Sequence, residues 1–148
     1  MNGIEMTNKL FQAIEAKDKK TAATYITDHF TFSGPVPQPI SGTEWLNLQQ
    51  VLSRAFPDWR FNAGDLREED GKVRATVQIT GTHKGELDLS SLGLPKVPAT
   101  GKKIKLPRED ITLSMSDGKF SSLVNTPTAG GGVMGILSQL GVKVPAAH

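Results

Sequence analysis

The chain has 148 residues, 37% of them hydrophobic, which suits one domain spanning 1–148 with one sizeable core. Its 17 basic and 15 acidic residues leave a net charge of +2, far from the basic stripe that nucleic-acid binding needs. It has no cysteine, which excludes a disulfide scaffold, a thiolate metal site and a cysteine nucleophile, and it has no apolar run suited to a signal peptide or a bilayer span, so the expected setting is the cytoplasm.

The first half reads as helical. Over residues 7–16, Leu10, Phe11 and Ile14 fall at helical spacing, and a second short helix is expected over 21–26, burying Ala22, Tyr25 and Ile26. Residues 29–32 are β-prone, with Phe30 and Phe32 on one side and His29 on the other, at the surface. The stretch 33–42 (S-G-P-V-P-Q-P-I-S-G) can only be loop. Ser41 and Glu44 make a capping box that opens a third helix through Ala55, with Trp45, Leu48, Val51 and Leu52 as its buried stripe.

The second half reads as antiparallel sheet. Val73, Ala75, Val77 and Ile79 alternate with Arg74, Thr76, Gln78 and Thr80, and the same parity carries Gly81 and His83 along the core-facing row. Asp70-Gly71 and Asp117-Gly118 are both the dipeptide that type I′ hairpin turns prefer. A two-residue loop at Asp117-Gly118 pairs Met115 with Phe120, Leu113 with Ser122, Ile111 with Val124 and Glu109 with Thr126. Glu109 shares parity with Ile111, Leu113 and Met115 and so points inward; Asp110 takes its place if the chain slips by one residue at Pro107. Two phase breaks, at Gly64 and at Pro107, are read as bulges that bend the strands. The expected fold class is α+β, with the N-terminal helices closing the concave face of a strongly curved antiparallel sheet.

His83 and Glu109 are the inward ionisable candidates for catalysis, since an imidazole and a carboxylate form a common proton-transfer pair. A structural alternative has His83 bonding a loop carbonyl and Glu109 pairing with Arg108, Arg74 or a lysine. Histidines at 29, 83 and 148 lack metal-site spacing, no G-x-S-x-G turn activates a serine, and Gly130-Gly131-Gly132 is not followed by the Lys-Ser/Thr of a phosphate loop. That glycine run reads instead as the connection to a short helix over the pocket mouth, with Val133, Ile136, Leu137 and Leu140 apolar. Loops 33–42, 90–101 and 127–132 form the expected rim, and Lys102, Lys103, Lys105 and Arg108 a solvated basic face.

In order along the chain, A-F-P-D-W-R-F, D-G-K-V-R-A-T-V, G-T-H-K-G-E, P-A-T-G-K-K, D-G-K-F and S-Q-L-G-V resemble the SnoaL-like polyketide cyclases of the nuclear transport factor 2-like superfamily. That superfamily also holds ketosteroid isomerase, scytalone dehydratase and limonene epoxide hydrolase. The resemblance runs from the first helix to Leu140 and implies a cone-shaped barrel around one deep pocket, as well as sheets that often pair back to back. It also implies an aspartate near the end of the barrel as general acid/base for an intramolecular aldol closure. Here the last acidic residue is Asp117; Asn125 and Thr128 stand about where that acid is expected, and neither can take a proton.

The substrate-binding candidates are Tyr25, Phe32, Trp45, Trp59, Phe61, Val77, Leu113, Val124 and Asn125, with Phe30, Phe56 and Ile79 in the lining or its support. The outer sheet face is expected to show Thr76, Gln78, Thr80, Thr112, Ser114, Ser121, Leu123 and Asn125, a short-chained surface suited to a homodimer. Two function classes follow. One is a cofactor-independent, metal-free cyclase-like lyase or isomerase acting on a small hydrophobic carbonyl compound by general acid/base proton transfer. The other is a non-catalytic ligand-binding or dimeric interaction module of the same fold.

Overall fold

The computed structural model describes residues 2–34, 38–90, 93–126 and 128–142; His148 and parts of loops 33–42, 90–101 and 127–132 lie outside them. The elements, in order, are α1 (Gly3–Glu15), α2 (Lys19–Ala23), β1 (Ile26–Ser33), β2 (Ile40–Ser41), α3 (Gly42–Ala55), β3 (Gly64–Glu69), β4 (Lys72–Val77), β5 (Thr80–Thr82), β6 (Lys103–Lys105), β7 (Glu109–Ser116), β8 (Lys119–Asn125) and α4 (Gly132–Gln139). Among the described residues no helix is long and apolar enough to cross a membrane.

Side-chain caps set the helix boundaries. The Asn2 side chain accepts the Glu5 N–H at 2.8 Å, so α1 begins a turn before the expected start at residue 7 and buries Met6 and Thr7 as well as Leu10, Phe11 and Ile14. The Asp18 carboxylate accepts the Thr21 N–H and starts α2 early. Ile26 consequently opens β1 instead of closing α2. The capping box forms as expected: the Glu44 N–H donates to Ser41 Oγ at 3.2 Å, and the Ser41 N–H to Glu44 Oε1 at 3.1 Å. Trp45 then anchors α3 to β1, its ring 5.2 Å from that of Phe30 and 5.9 Å from that of Phe32.

Both Asp-Gly turns have positive φ at their two central residues and join Glu69 to Lys72 and Ser116 to Lys119, as type I′ geometry requires. The break near Gly64 is a real irregularity, with Asp65 at φ 50° and a register shift before Arg67.

The expected cone-shaped barrel does not form. The six-stranded sheet runs β2-β1-β8-β7-β4-β3, leaves β2 and β3 as free edges, and is neither closed nor strongly curled. Nor is it wholly antiparallel, because β1 pairs with β8 in parallel. The reason lies in two interruptions, one at the expected phase break around Pro107 and one within the row that was expected to run unbroken from Val73 to His83. Gln78 and Ile79 separate β4 from β5, and 106–108 separate β6 from β7, so the segments that would have carried the sheet round pair with each other as a separate two-stranded sheet.

A second correction concerns β8. Register near the turn is as expected, Met115 opposite Phe120, but Ser114 then faces Ser122, leaving Ser121 as the extra residue of a bulge. Beyond it Leu113 faces Leu123 and Ile111 faces Asn125. Leu123 and Asn125 therefore turn inward and are buried, while Val124 turns outward and is 44% exposed.

The helices cover one sheet face and share a single hydrophobic cluster with it. At the C-terminal end, Gln139 holds α4 to the edge strand β6 through two 2.8 Å bonds with the Lys105 backbone, and Lys102 Nζ caps the helix at Leu140 O. Replacing Ser41 by Ala removes one half of the α3 capping box. The expected result is a loss of about 0.5–2 kcal/mol in urea unfolding, read as a lower midpoint at unchanged slope.

Candidate functional site

Between the helices and the inner sheet face lies a cavity of about 70 Å³. Its walls come from α1 (Phe11), α3 (Trp45, Leu48, Gln49, Leu52), the 59–61 segment (Trp59, Phe61), the sheet (Phe32, Val77, Glu109, Ile111, Leu123, Asn125), the connections after β4 and β6 (Ile79, Leu106) and α4 (Gly132, Val133, Ile136). The walls are mostly apolar because each supplying element presents its buried stripe. Aromatic contacts fix several of them: Phe11 stacks on Phe61 at 4.3 Å, and Trp59 meets Phe61 edge-on at 6.1 Å. The Glu15 carboxylate accepts the Phe61 N–H at 3.0 Å and ties that segment to α1.

Of the residues named from sequence, Phe32, Trp45, Trp59, Phe61, Val77, Glu109 and Asn125 line this cavity. Tyr25, Leu113 and Val124 do not. Tyr25 is half-buried against the core, Leu113 is wholly buried within it, and Val124 faces outward because of the bulge at Ser121. Gln49 is a polar lining residue that the sequence reading overlooked. The signal was available: it sits one helical turn after Trp45, on the apolar face of α3.

Glu109 is 2% exposed and forms no ion pair with Arg74, Arg108 or a lysine among the described residues. Burial pushes its carboxyl above the ordinary glutamate range, while the Asn125 side chain and the Gly132 N–H act in the opposite direction. Oε1 lies against the start of α4, where a Cβ on Gly131 would come within 2.7 Å of it. That helix has no side-chain N-cap, so glycine leaves room for the carboxyl to approach the helix end. Oε2 has no protein partner. Asp110 is exposed on the other face.

His83 is fully buried, yet it is not part of the cavity wall. Its Nδ1 accepts the Thr100 N–H at 3.2 Å and lies 2.9 Å from Thr100 Oγ, which itself accepts the Lys102 N–H. The ring packs on Phe56 at 5.3 Å. An accepting Nδ1 places the neutral ring's proton on Nε2, and burial pushes the imidazole below its ordinary range, partly offset by the Gly85 backbone. His83 thus holds the 100–102 turn against the end of β5. The structure does not bring His83 and Glu109 into one cavity. Next to it, Asp58 fastens β5 by accepting the Thr82 N–H at 2.6 Å and the Thr82 hydroxyl at 2.8 Å.

Among the described residues, five that line the pocket carry a buried polar atom without a protein partner: Trp45 Nε1, Gln49 Oε1, Trp59 Nε1, Glu109 Oε2 and Asn125 Oδ1. Orphaned polar atoms are uncommon in protein interiors. Their concentration around one apolar cavity equips it to bind a molecule that is mostly apolar and carries a few hydrogen-bonding groups.

A sequence model of the SnoaL-like polyketide cyclases matches residues 5–122. Among solved structures, AclR from Streptomyces galilaeus is similar, at 19% identity and TM-score 0.73, covering 97% of this chain and 83% of that one. IdmH from Streptomyces antibioticus matches at 19% identity and TM-score 0.73, covering 96% and 100%. TsrD from Streptomyces laurentii matches at 17% identity and TM-score 0.70, covering 97% and 99%. At these identities the likeness shows the fold alone. No curated protein matches the chain.

The raised Glu109 has a consequence for stability. The folded state holds this proton to higher pH than the unfolded chain does, so the contribution is complete below the unfolded value and is lost as pH rises through the raised one. His83 acts in the opposite sense, its contribution being lost as pH falls below the ordinary imidazole range. Subtracting the pH–stability curve of Glu109→Gln from that of the parent isolates the glutamate. The difference should fall with rising pH across the window above the usual glutamate range, and a flat difference would show that Glu109 titrates normally.

Proposed function

The chain belongs to the SnoaL-like polyketide cyclase family, in the nuclear transport factor 2-like superfamily, and on that premise we propose that it is a cofactor-independent lyase or isomerase in which Glu109 moves a proton on a hydrophobic carbonyl compound. One observation carries the reading: a carboxyl 2% exposed, free of ion pairing among the described residues, with one oxygen unpartnered in the apolar wall of a cavity.

A buried carboxyl raised toward neutrality suits general acid/base work, since the best catalytic group titrates near the working pH. As carboxylate, Glu109 accepts a proton from a carbon next to the carbonyl. As acid, it returns the proton to the product at another position or to the new oxygen. The Asn125 side chain, on the neighbouring strand, steadies the carboxylate form, and its unpartnered Oδ1 accepts a hydrogen bond from a donor on the ligand. Asn125 stands about where the family resemblance places an aspartate, so the proton carrier moves across the ladder from β8 to β7. His83 is left out of this mechanism because it is committed to Thr100 and does not line the cavity.

The second reading, a binding module without turnover, draws on the same wall: Glu109 is the sole acidic or basic side chain among the described lining residues. Deuterium exchange at the benzylic carbon of phenylacetone, followed by NMR, separates the two. The enzyme reading expects exchange above the buffer rate, rising with pH through the raised Glu109 range, and reduced about 10²–10⁴-fold in Glu109→Gln. Exchange no faster than buffer, with phenylacetone bound, would favour the binding module.

We also propose a homodimer through the outer sheet face. Thr76, Thr112 and Ser114 are short and half-buried there, and Val124 adds an exposed apolar side chain. Sedimentation velocity at micromolar concentration should give twice the chain mass, and a monomer would overturn the proposal.

A further inference from the structure

Trp45 and Gln49 stand one turn apart on α3, at 1% and 8% exposure, and both line the cavity. Residues four apart lie on the same helical row, their Cβ atoms roughly 5–6 Å from each other. Trp45 Nε1 can only donate a hydrogen bond, and Gln49 Oε1 can only accept one. Both atoms are buried without a protein partner. We propose that this pair is a second recognition point, on the helix side of the pocket, that reads a hydroxyl group on the ligand.

The two atoms have complementary needs. A carbonyl oxygen satisfies the indole N–H and leaves the Gln49 oxygen unpaired. A protonated amine satisfies Gln49 and leaves the indole unpaired. A hydroxyl accepts from one and donates to the other, so a single ligand atom meets both needs. An unmet buried polar group is expensive, so a site built around such a pair discriminates against ligands lacking the group. Trp59 Nε1 is also unpartnered, but no unpartnered acceptor stands on its own segment. Sheet and helix therefore contribute different chemistry: Glu109 and Asn125 face the reacting carbonyl region, and Trp45 with Gln49 select for a hydroxyl elsewhere on the molecule.

This inference rests on the cavity being the ligand site and makes no use of turnover. The test compares para-fluorophenol with fluorobenzene by fluorine NMR titration of the whole protein. The two probes share one ring and differ by the hydroxyl. The expected result is tighter binding of para-fluorophenol by roughly tenfold, the scale that two neutral hydrogen bonds provide. Gln49→Leu and Trp45→Phe should each remove most of that preference, read as the ratio of the two affinities within each variant, so that any change in the pocket common to both probes cancels. Equal binding of the two probes by the parent would overturn the hydroxyl reading and leave the ligand pocket standing. Loss of the preference in Trp59→Phe, with both α3 variants unaffected, would overturn the assignment to Trp45 and Gln49. Binding of neither probe would defeat the inference together with the ligand-pocket reading beneath it.

Discussion

The pairing of β8 with both of its neighbours is the constraint on which the rest of the molecule depends. β8 runs parallel to β1 on one side and antiparallel to β7 on the other, so it joins the helical half of the chain to the hairpin half. A parallel neighbour requires a long crossover, and here α3 with the strands that follow it supplies that length. The single extra residue at Ser121 then decides which side chains of β8 look into the pocket. Because side chains alternate with period two, one inserted residue exchanges the two faces for the remainder of the strand.

Placing a carboxyl in an apolar wall is costly unless the proton stays on or the charge finds partners. Glu109 has some of each. Burial favours the neutral acid, while the Asn125 side chain and the start of α4 favour the carboxylate. Opposed influences of that kind leave a group able to gain and lose a proton, whereas an ion pair would hold it charged. The Gly131 approach makes the arrangement sterically specific, and α4, held at its far end by Gln139 and Lys102, keeps the wall in place.

His83 shows how parity can lead to a correct burial and an incomplete account of surroundings. The row from Val73 to His83 is interrupted at Gln78 and Ile79, and β5 leaves the main sheet to pair with β6. His83 is buried as its parity requires, but just past the end of the small sheet, where Thr100 and Phe56 are its neighbours. The same departure of β5 and β6 explains why an open sheet formed where a barrel was expected.

Local signals in the sequence determined much of this protein. The Ser41–Glu44 box, the two Asp-Gly turns, the stripe through Trp45 and Leu52, and the inward parity of Glu109 each depend on a few neighbouring residues, and each is present in the structure. The resemblance carried by its short motifs identified the family for the same reason, since those motifs lie in turns, at strand starts and at helix ends. Tertiary structure alone decided the bulge at Ser121, the parallel β1–β8 pairing, the separation of β5–β6 and hence the composition of the pocket wall. A bulge has no obligatory residue, though Phe120 and Leu123, both apolar and three apart, cannot share one face of a regular strand and so hinted at it. Strand partners and strand endings are settled by burial summed over the whole core. No local window contains that sum, which is why Leu123 entered the wall, Val124 left it, and Gln49 joined Trp45 at a site that only the folded chain assembles.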